Sequence, residues 1–239
     1  MTSVVSHSER LHARMQITCG QLDTAYHRLW NRPALGEVLP SFLILMHQIV
    51  RASVPLMNLA HSIASERAGV DRVCAGLAPY LARHASEEHH HDEWILQDLE
   101  AAGIGRHSVL GDIPPPGVAS LVGAQYYWVQ HHHPVALLGY IRLLEGTPPS
   151  EHHIERLQRE SGLPAAMFRT YRLHGTLDPG HLQELDAFMD SLPLSEAQSR
   201  LVWVSASHTA RALAECLRRL DRTADAGDAL EAGREPPQK

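Results

Sequence analysis

The stretch LAPYLARHASEEHHHDEWILQDL, residues 77–99, decides how the rest of this chain is read. On a helix of 3.6 residues per turn, Leu77, Leu81, His84, Glu88, His91, Ile95 and Leu99 share one side. That side is apolar at both ends and carries imidazole and carboxylate in the middle. Burying an unpaired carboxylate costs on the order of several kcal/mol. A core-facing cluster of this kind persists where something compensates it, and a metal ion does so directly.

Composition frames that reading. At 239 residues and 44% hydrophobic content, the chain can bury a sizeable core within one large domain, and an all-α domain is expected. A formal charge of −6 and the lack of a dense Lys/Arg block argue against nucleic acid or an anionic membrane as partner and favour a small molecule. The cysteines, Cys19, Cys74 and Cys216, are odd in number and widely spaced without C-x-x-C, so neither a disulfide framework nor a zinc knuckle is expected. Residues Met1 to Arg14 carry His, Ser, Glu and Arg where a signal peptide needs an apolar core, and no run is read as reaching membrane-span length. A cytoplasmic protein with no membrane contact is expected. Histidine is the outlier, with 18 residues to be sorted into ligands and bystanders.

Outward from residues 77–99, the helical pattern predicts a first helix over 8–30, as flank or lid, ended by Asn31-Arg32-Pro33. A second, the most hydrophobic, spans about Pro40 to Arg67 with a kink at Pro55 and carries His47 and His61, read chiefly as core or surface residues. The third contains the opening stretch, with a bend at Pro79, and runs to Ala102 before Gly103. Residues Gly103 to Gly117, with Pro114-Pro115-Pro116, read as an extended crossover. Next, Tyr126, Tyr127 and Trp128 concentrate aromatic rings that could wall a substrate pocket or simply pack in the core. His131-His132-His133-Pro134 should break that helix, and the pattern resumes through Leu138, Ile141 and Glu145. Thr147 to Ser150 forms a turn with Ser150 as N-cap of a short polar helix, and Ser195 caps a last helix from Glu196 to about Leu220. A bundle domain over 1–222 and a disordered tail over 223–239 are expected.

Two further anomalies match the first. Glu145 continues the apolar face of Leu138 and Ile141 at a helix end, where the macrodipole disfavours a negative charge. His174-x-x-x-Asp178-x-x-His181 places two imidazoles and a carboxylate on one helical face, although Asp178-Pro179 also has the form of an N-cap that would break the helix. Carboxylate and imidazole without thiolate favour iron or manganese and tolerate zinc, and bridging carboxylates hold two such ions close together in helical bundles. Two irons are the first choice, which points to O2 activation followed by oxidation of a substrate held beside the centre.

In His84-Ala85-Ser86-Glu87-Glu88 with His91-Asp92-Glu93-Trp94, in Gly139-Tyr140 to Glu145-Gly146, and in His174-x-x-x-Asp178-x-x-His181, the sequence resembles the heme-oxygenase-like diiron oxidases and oxygenases, the iron-containing redox enzymes of the thiaminase/PQQ-synthesis superfamily. The resemblance spans roughly His47 to Leu220. It implies a single-domain, seven-helix, heme-oxygenase-like bundle, and a homodimer as the assembly. It also implies use of two irons, O2 and an external reductant to hydroxylate nitrogen, desaturate, or cleave carbon chains of amino acids, amines or fatty acids. Carried over, Glu88, His91, Glu145, His174, Asp178 and His181 would be the ligands. Glu87 also reaches His91's face, but Glu88 lies on the Leu77/Leu81/Ile95 stripe and is preferred. Some relatives place the first carboxylate seven residues before the first histidine, a position held here by His84, which is thereby a further candidate. Alternatives are an iron- or ligand-binding bundle without catalysis and a heme-degrading oxygenase. Thiaminase-like chemistry would need a nucleophilic cysteine near the polar motifs.

Overall fold

In the computed structural model the chain is an all-α, single-domain bundle, described over residues 5–146 and 148–232, with side chains through Arg222. Thr147, in the expected turn, and residues 233–239, in the expected tail, lie outside the described residues. The helices are α1 (His7–Thr18), α2 (Gly20–Trp30), α3 (Leu35–Val50), α4 (Ser53–Arg67), α5 (Arg72–Glu87) and α6 (His91–Ala101). They continue as α7 (Arg106–Gly111), α8 (Pro116–His131), α9 (Leu137–Leu144), α10 (Glu151–Ser161), α11 (Arg169–Ser191) and α12 (Glu196–Ala232). With α1–α2, α3–α4 and α5–α6 each taken as one broken helix, and short α7 and α10 as connectors, the described residues form a seven-helix bundle.

The breaks correct the expected long helices. The flanking helix is interrupted at Cys19, and the expected kink at Pro55 is instead a full break at Arg51 and Ala52. Pro55 then falls at the third residue of α4, where its missing N–H would have had no intrahelical partner. The stretch from Leu35 to Arg67 does reach membrane-span length, contrary to expectation, but half of its most apolar window is buried in the bundle. Packing explains why: α4 lies along α5 and α3 along α6, so two broken helices run antiparallel side by side. Pro79, expected to bend α5, sits inside it without interrupting it. The crossover is part helical, as α7, and α12 continues to Ala232, so the first part of the expected tail is helix.

The break within residues 77–99 matters most. Helix α5 ends at Glu87, Glu88 forms its C-cap, and His90 adopts a left-handed conformation with φ 73° before α6 begins. A left-handed non-glycine residue is uncommon, and such residues concentrate where the surroundings hold them in place for function. An unbroken helix would put His91 about 10.5 Å beyond His84 along its axis. The turn replaces that straight run, with Glu88 Oε2 2.8 Å from His91 Nδ1, while Asp92 and Glu93 fall in the first turn of α6, where negative charge is favoured.

Helix α12 forms the spine, packed against α9, α2, α8 and α1. The α9 contact is backbone to backbone, since a Cβ at Gly139 would collide with the Val202 carbonyl. Two ties, one buried and one part-buried, set the helices around the centre. Asp98 on α6 accepts from the Thr170 backbone N–H at 2.8 Å, capping α11 from a neighbouring helix. Arg142 on α9 donates from Nε to Asp186 on α11 at 2.8 Å.

Candidate metal centre

Three elements converge on one polar pocket in the core: the α5–α6 turn with Glu88 and His91, the end of α9 with Glu145, and α11 with His174, Asp178 and His181. His84, one turn before Glu88, joins them. Glu87 does not, because it is exposed and lies toward Arg83. Helix α11 runs unbroken through Pro179, so Asp178 caps nothing. Its Oδ1 instead lies 2.9 Å from His174 Nδ1, a side-chain hydrogen bond one turn back along the helix.

The geometry divides into two halves. In one, the His91 and His174 rings meet edge to face with centroids 4.9 Å apart, and in the other His84 and His181 do so at 5.5 Å. Glu88 spans both, with Oε2 2.8 Å from His91 Nδ1 and Oε1 3.7 Å from His181 Nδ1. Glu145 Oε1 lies 2.8 Å from His84 Nε2. These are close approaches without hydrogen-bond geometry: His84 Nε2, Glu88 Oε1, His91 Nδ1, Glu145 Oε2 and His181 Nδ1 are all buried and unpartnered. Each unsatisfied buried polar atom costs about 1–3 kcal/mol, and more if charged. Five within one set of neighbouring residues fit a site built to hold cations of the carboxylate–imidazole class.

Electrostatics agree. Burial favours the neutral carboxyl of Glu145 and raises its pKa despite the neighbouring His84. Burial also opposes the charged form of Glu88, but contact with His91 outweighs it and lowers the pKa. For His84 and His174, burial disfavours the charged ring, but Glu145 and Asp178, respectively, outweigh it and raise the pKa. Competition of this kind concentrates at functional sites.

A cavity of about 130 Å³ opens beside the cluster. Glu88, Glu145, His174 and Asp178 face it, and Tyr26, Phe42, Met46, Tyr140 and Tyr171 help form its walls. This corrects the expected aromatic wall: Tyr127 is exposed, Tyr126 packs on the core and Trp128 packs edge-on against His208. The true wall draws its rings from α2, α3, α9 and α11, which no local concentration in the sequence marks. His61 places Nδ1 2.8 Å from the Ala78 carbonyl, and His47 is buried; neither lines the cavity. Cys74 and Cys216 are buried thiols whose pKa is pushed up to about 11, chiefly by burial, and no cysteine lines the cavity, so no poised thiolate attends it.

Residues 40–214 match the family described as iron-containing redox enzyme. The chain belongs to the iron-containing redox enzyme family. Its bundle is similar to a domain of unknown function with a heme oxygenase-like fold from Shewanella denitrificans OS217, with 15% identity and a TM-score of 0.70, covering 96% of this chain and 95% of that one. It is also similar to a TenA homolog from Pseudomonas syringae pv. tomato DC3000, with 11% identity and a TM-score of 0.62, covering 88% and 93%. No curated protein matches it in sequence. The fold is heme oxygenase-like, and within it this family member carries its buried carboxylates and imidazoles at the three places the sequence singles out.

Proposed function

We propose that this member of the iron-containing redox enzymes is a non-heme diiron oxidase or oxygenase that uses O2 to oxidise a small organic molecule seated in the cavity beside the centre. Glu88, His91, Glu145, His174, Asp178 and His181 would hold the metal, with Glu88 positioned to reach both halves. When bound, two irons supply electrons to O2, and an external reductant, available in a cytoplasmic setting, restores them. The observation that carries this reading is the set of five buried, unpartnered donor atoms in one cluster.

The chain's own residues do the rest. The apolar and aromatic walls exclude water and orient the substrate against the side on which Glu88, Glu145, His174 and Asp178 face the cavity. The Asp98–Thr170 and Arg142–Asp186 ties hold the contributing helices in register. A volume of about 130 Å³ resembles that of an engineered cavity, about 150 Å³, that admits benzene. Among the described residues lining it there is no Lys or Arg, which favours an amine or the apolar part of a fatty acid over a free amino acid. N-oxygenation, desaturation and oxidative C–C cleavage all fit such a site.

The test is to load the protein with ferrous iron without oxygen, count bound iron, and mix with O2 in the presence of candidate amines and fatty acids. Two irons, a transient visible absorbance and substrate-triggered O2 consumption are expected. Zero or one loosely held iron overturns the diiron reading.

A further inference from the structure

We propose that His84 is itself a metal ligand, a seventh donor that joins Glu145 and His181 in holding one of the two ions. The inference rests on the metal-centre reading above and adds a residue to it. His84 Nε2 is buried, 2.8 Å from Glu145 Oε1 and off the hydrogen-bond direction, so Glu145 does not satisfy it. One donor atom from each of His84, Glu145 and His181 lies within 4.8 Å of the others. Ligands bound at about 2.0–2.2 Å to a shared ion stand at most about 4.4 Å apart, so these three close around one ion with only a small contraction.

The ring is also held as a ligand ring should be. It stacks on Tyr80 with centroids 5.6 Å apart and planes 15° apart, and Tyr80 stacks in turn on Phe188 at 4.1 Å. On the far side, His84 Nδ1 lies 3.5 Å from Glu87 Oε2. A carboxylate behind a histidine favours the proton on the rear nitrogen and leaves the front one free to ligate, and at this distance Glu87 acts through its charge without a hydrogen bond to the ring. Glu87 thereby has a part as the support behind His84. With His84 included, each half holds two imidazoles: His91 with His174, and His84 with His181. The half containing Glu145 is then not short of nitrogen.

The competing role for His84 is to orient Glu145 without touching the metal. Anaerobic titration of the metal-free, full-length protein with Co(II), read by visible d–d absorbance and by metal analysis after dialysis, separates the two. The wild-type protein should bind two equivalents. His84→Ala should weaken one site at least tenfold and change its spectrum, with added imidazole restoring both. His84→Gln, which keeps a donor toward Glu145, should bind no better than His84→Ala. If His84→Gln or His84→Ala binds both ions with wild-type affinity and spectrum, the inference is overturned while the metal centre stands. If the wild-type protein takes up no Co(II), the centre itself falls and His84 with it. Should His84→Ala fail to fold by circular dichroism, Glu87→Gln, altered at an exposed position, should still weaken one site about ten- to a hundredfold, and no change there overturns the inference.

Discussion

Two clusters in this protein have nearly the same ingredients and differ in what their atoms lack. In the centre, His174 and Asp178 pair, but His84, Glu88, His91, Glu145 and His181 each keep a buried polar atom without a partner. Near the start of α5, Asp71, Cys74 and His133 also bring three ligand-type atoms within 4.8 Å. There, however, His133 Nδ1 accepts from the Val135 N–H, which leaves the proton on Nε2, and Nε2 lies 3.0 Å from Asp71 Oδ2. The other Asp71 oxygen accepts from the N–H groups of Val73 and Cys74 and caps α5. With both ring nitrogens engaged, His133 is a poor ligand. The second cluster is structural, a cap and a clamp, and proximity of donors alone would not have told the two apart.

Glu88→Ala or His174→Ala should lower O2-dependent turnover at least about a hundredfold and reduce bound iron without unfolding the bundle. His133→Ala should leave iron content unchanged. Iron loss in His133→Ala would mean that the wrong cluster has been given the metal.

A smaller effect lies in stability. Asp71→Ala removes a cap and the His133 contact and should cost about 2 kcal/mol, roughly 4–8 °C in melting temperature for a chain of this size. Burial works against the Asp71 carboxylate, but His133 and the two capping N–H groups outweigh it and hold the pKa below its ordinary value. The unfolded chain therefore binds the proton more readily. The contribution of Asp71 is complete above the unfolded pKa, about 3.9, and is lost as pH falls through the folded value. Melting curves of wild type and Asp71→Ala should converge in strong acid, and a difference that persisted undiminished there would rule out the charge as its source.

The smallest effect has the opposite sign. Burial raises the pKa of Glu145, so its charged form costs stability in the folded, metal-free protein. Glu145→Gln should raise the melting temperature of the metal-free protein by about 2–4 °C, equivalent to about 1 kcal/mol, while weakening the gain on adding metal. A fall comparable to that of Asp71→Ala would show that Glu145, like Asp71, is there for the fold.

The buried stripe through His84, Glu88 and His91, which leaves Glu87 exposed, the break at the His131–Pro134 run and the Ser150 and Ser195 caps were legible because each depends on neighbours within a turn or two of helix. The breaks at Arg51–Ala52 and Glu88–His90 were not, since the flanking residues all suit a helix and the interruption is set by how α3–α4 and α5–α6 lie against each other. Asp178-Pro179 misled for the converse reason: its local form is a helix start, and the surrounding bundle keeps α11 continuous through it. The cavity wall was hidden because Tyr26, Phe42, Tyr140 and Tyr171 are far apart in the chain, whereas the conspicuous Tyr126–Trp128 run lies elsewhere.

By itself, then, the sequence determined which faces are buried and which of them are polar, because periodicity is a property of the chain alone. Only the tertiary structure decided which polar atoms find partners. A hydrogen bond depends on distance and direction between groups brought together from different helices, and it is the missing bonds around Glu88, not the residues present, that separate a metal centre from a clamp.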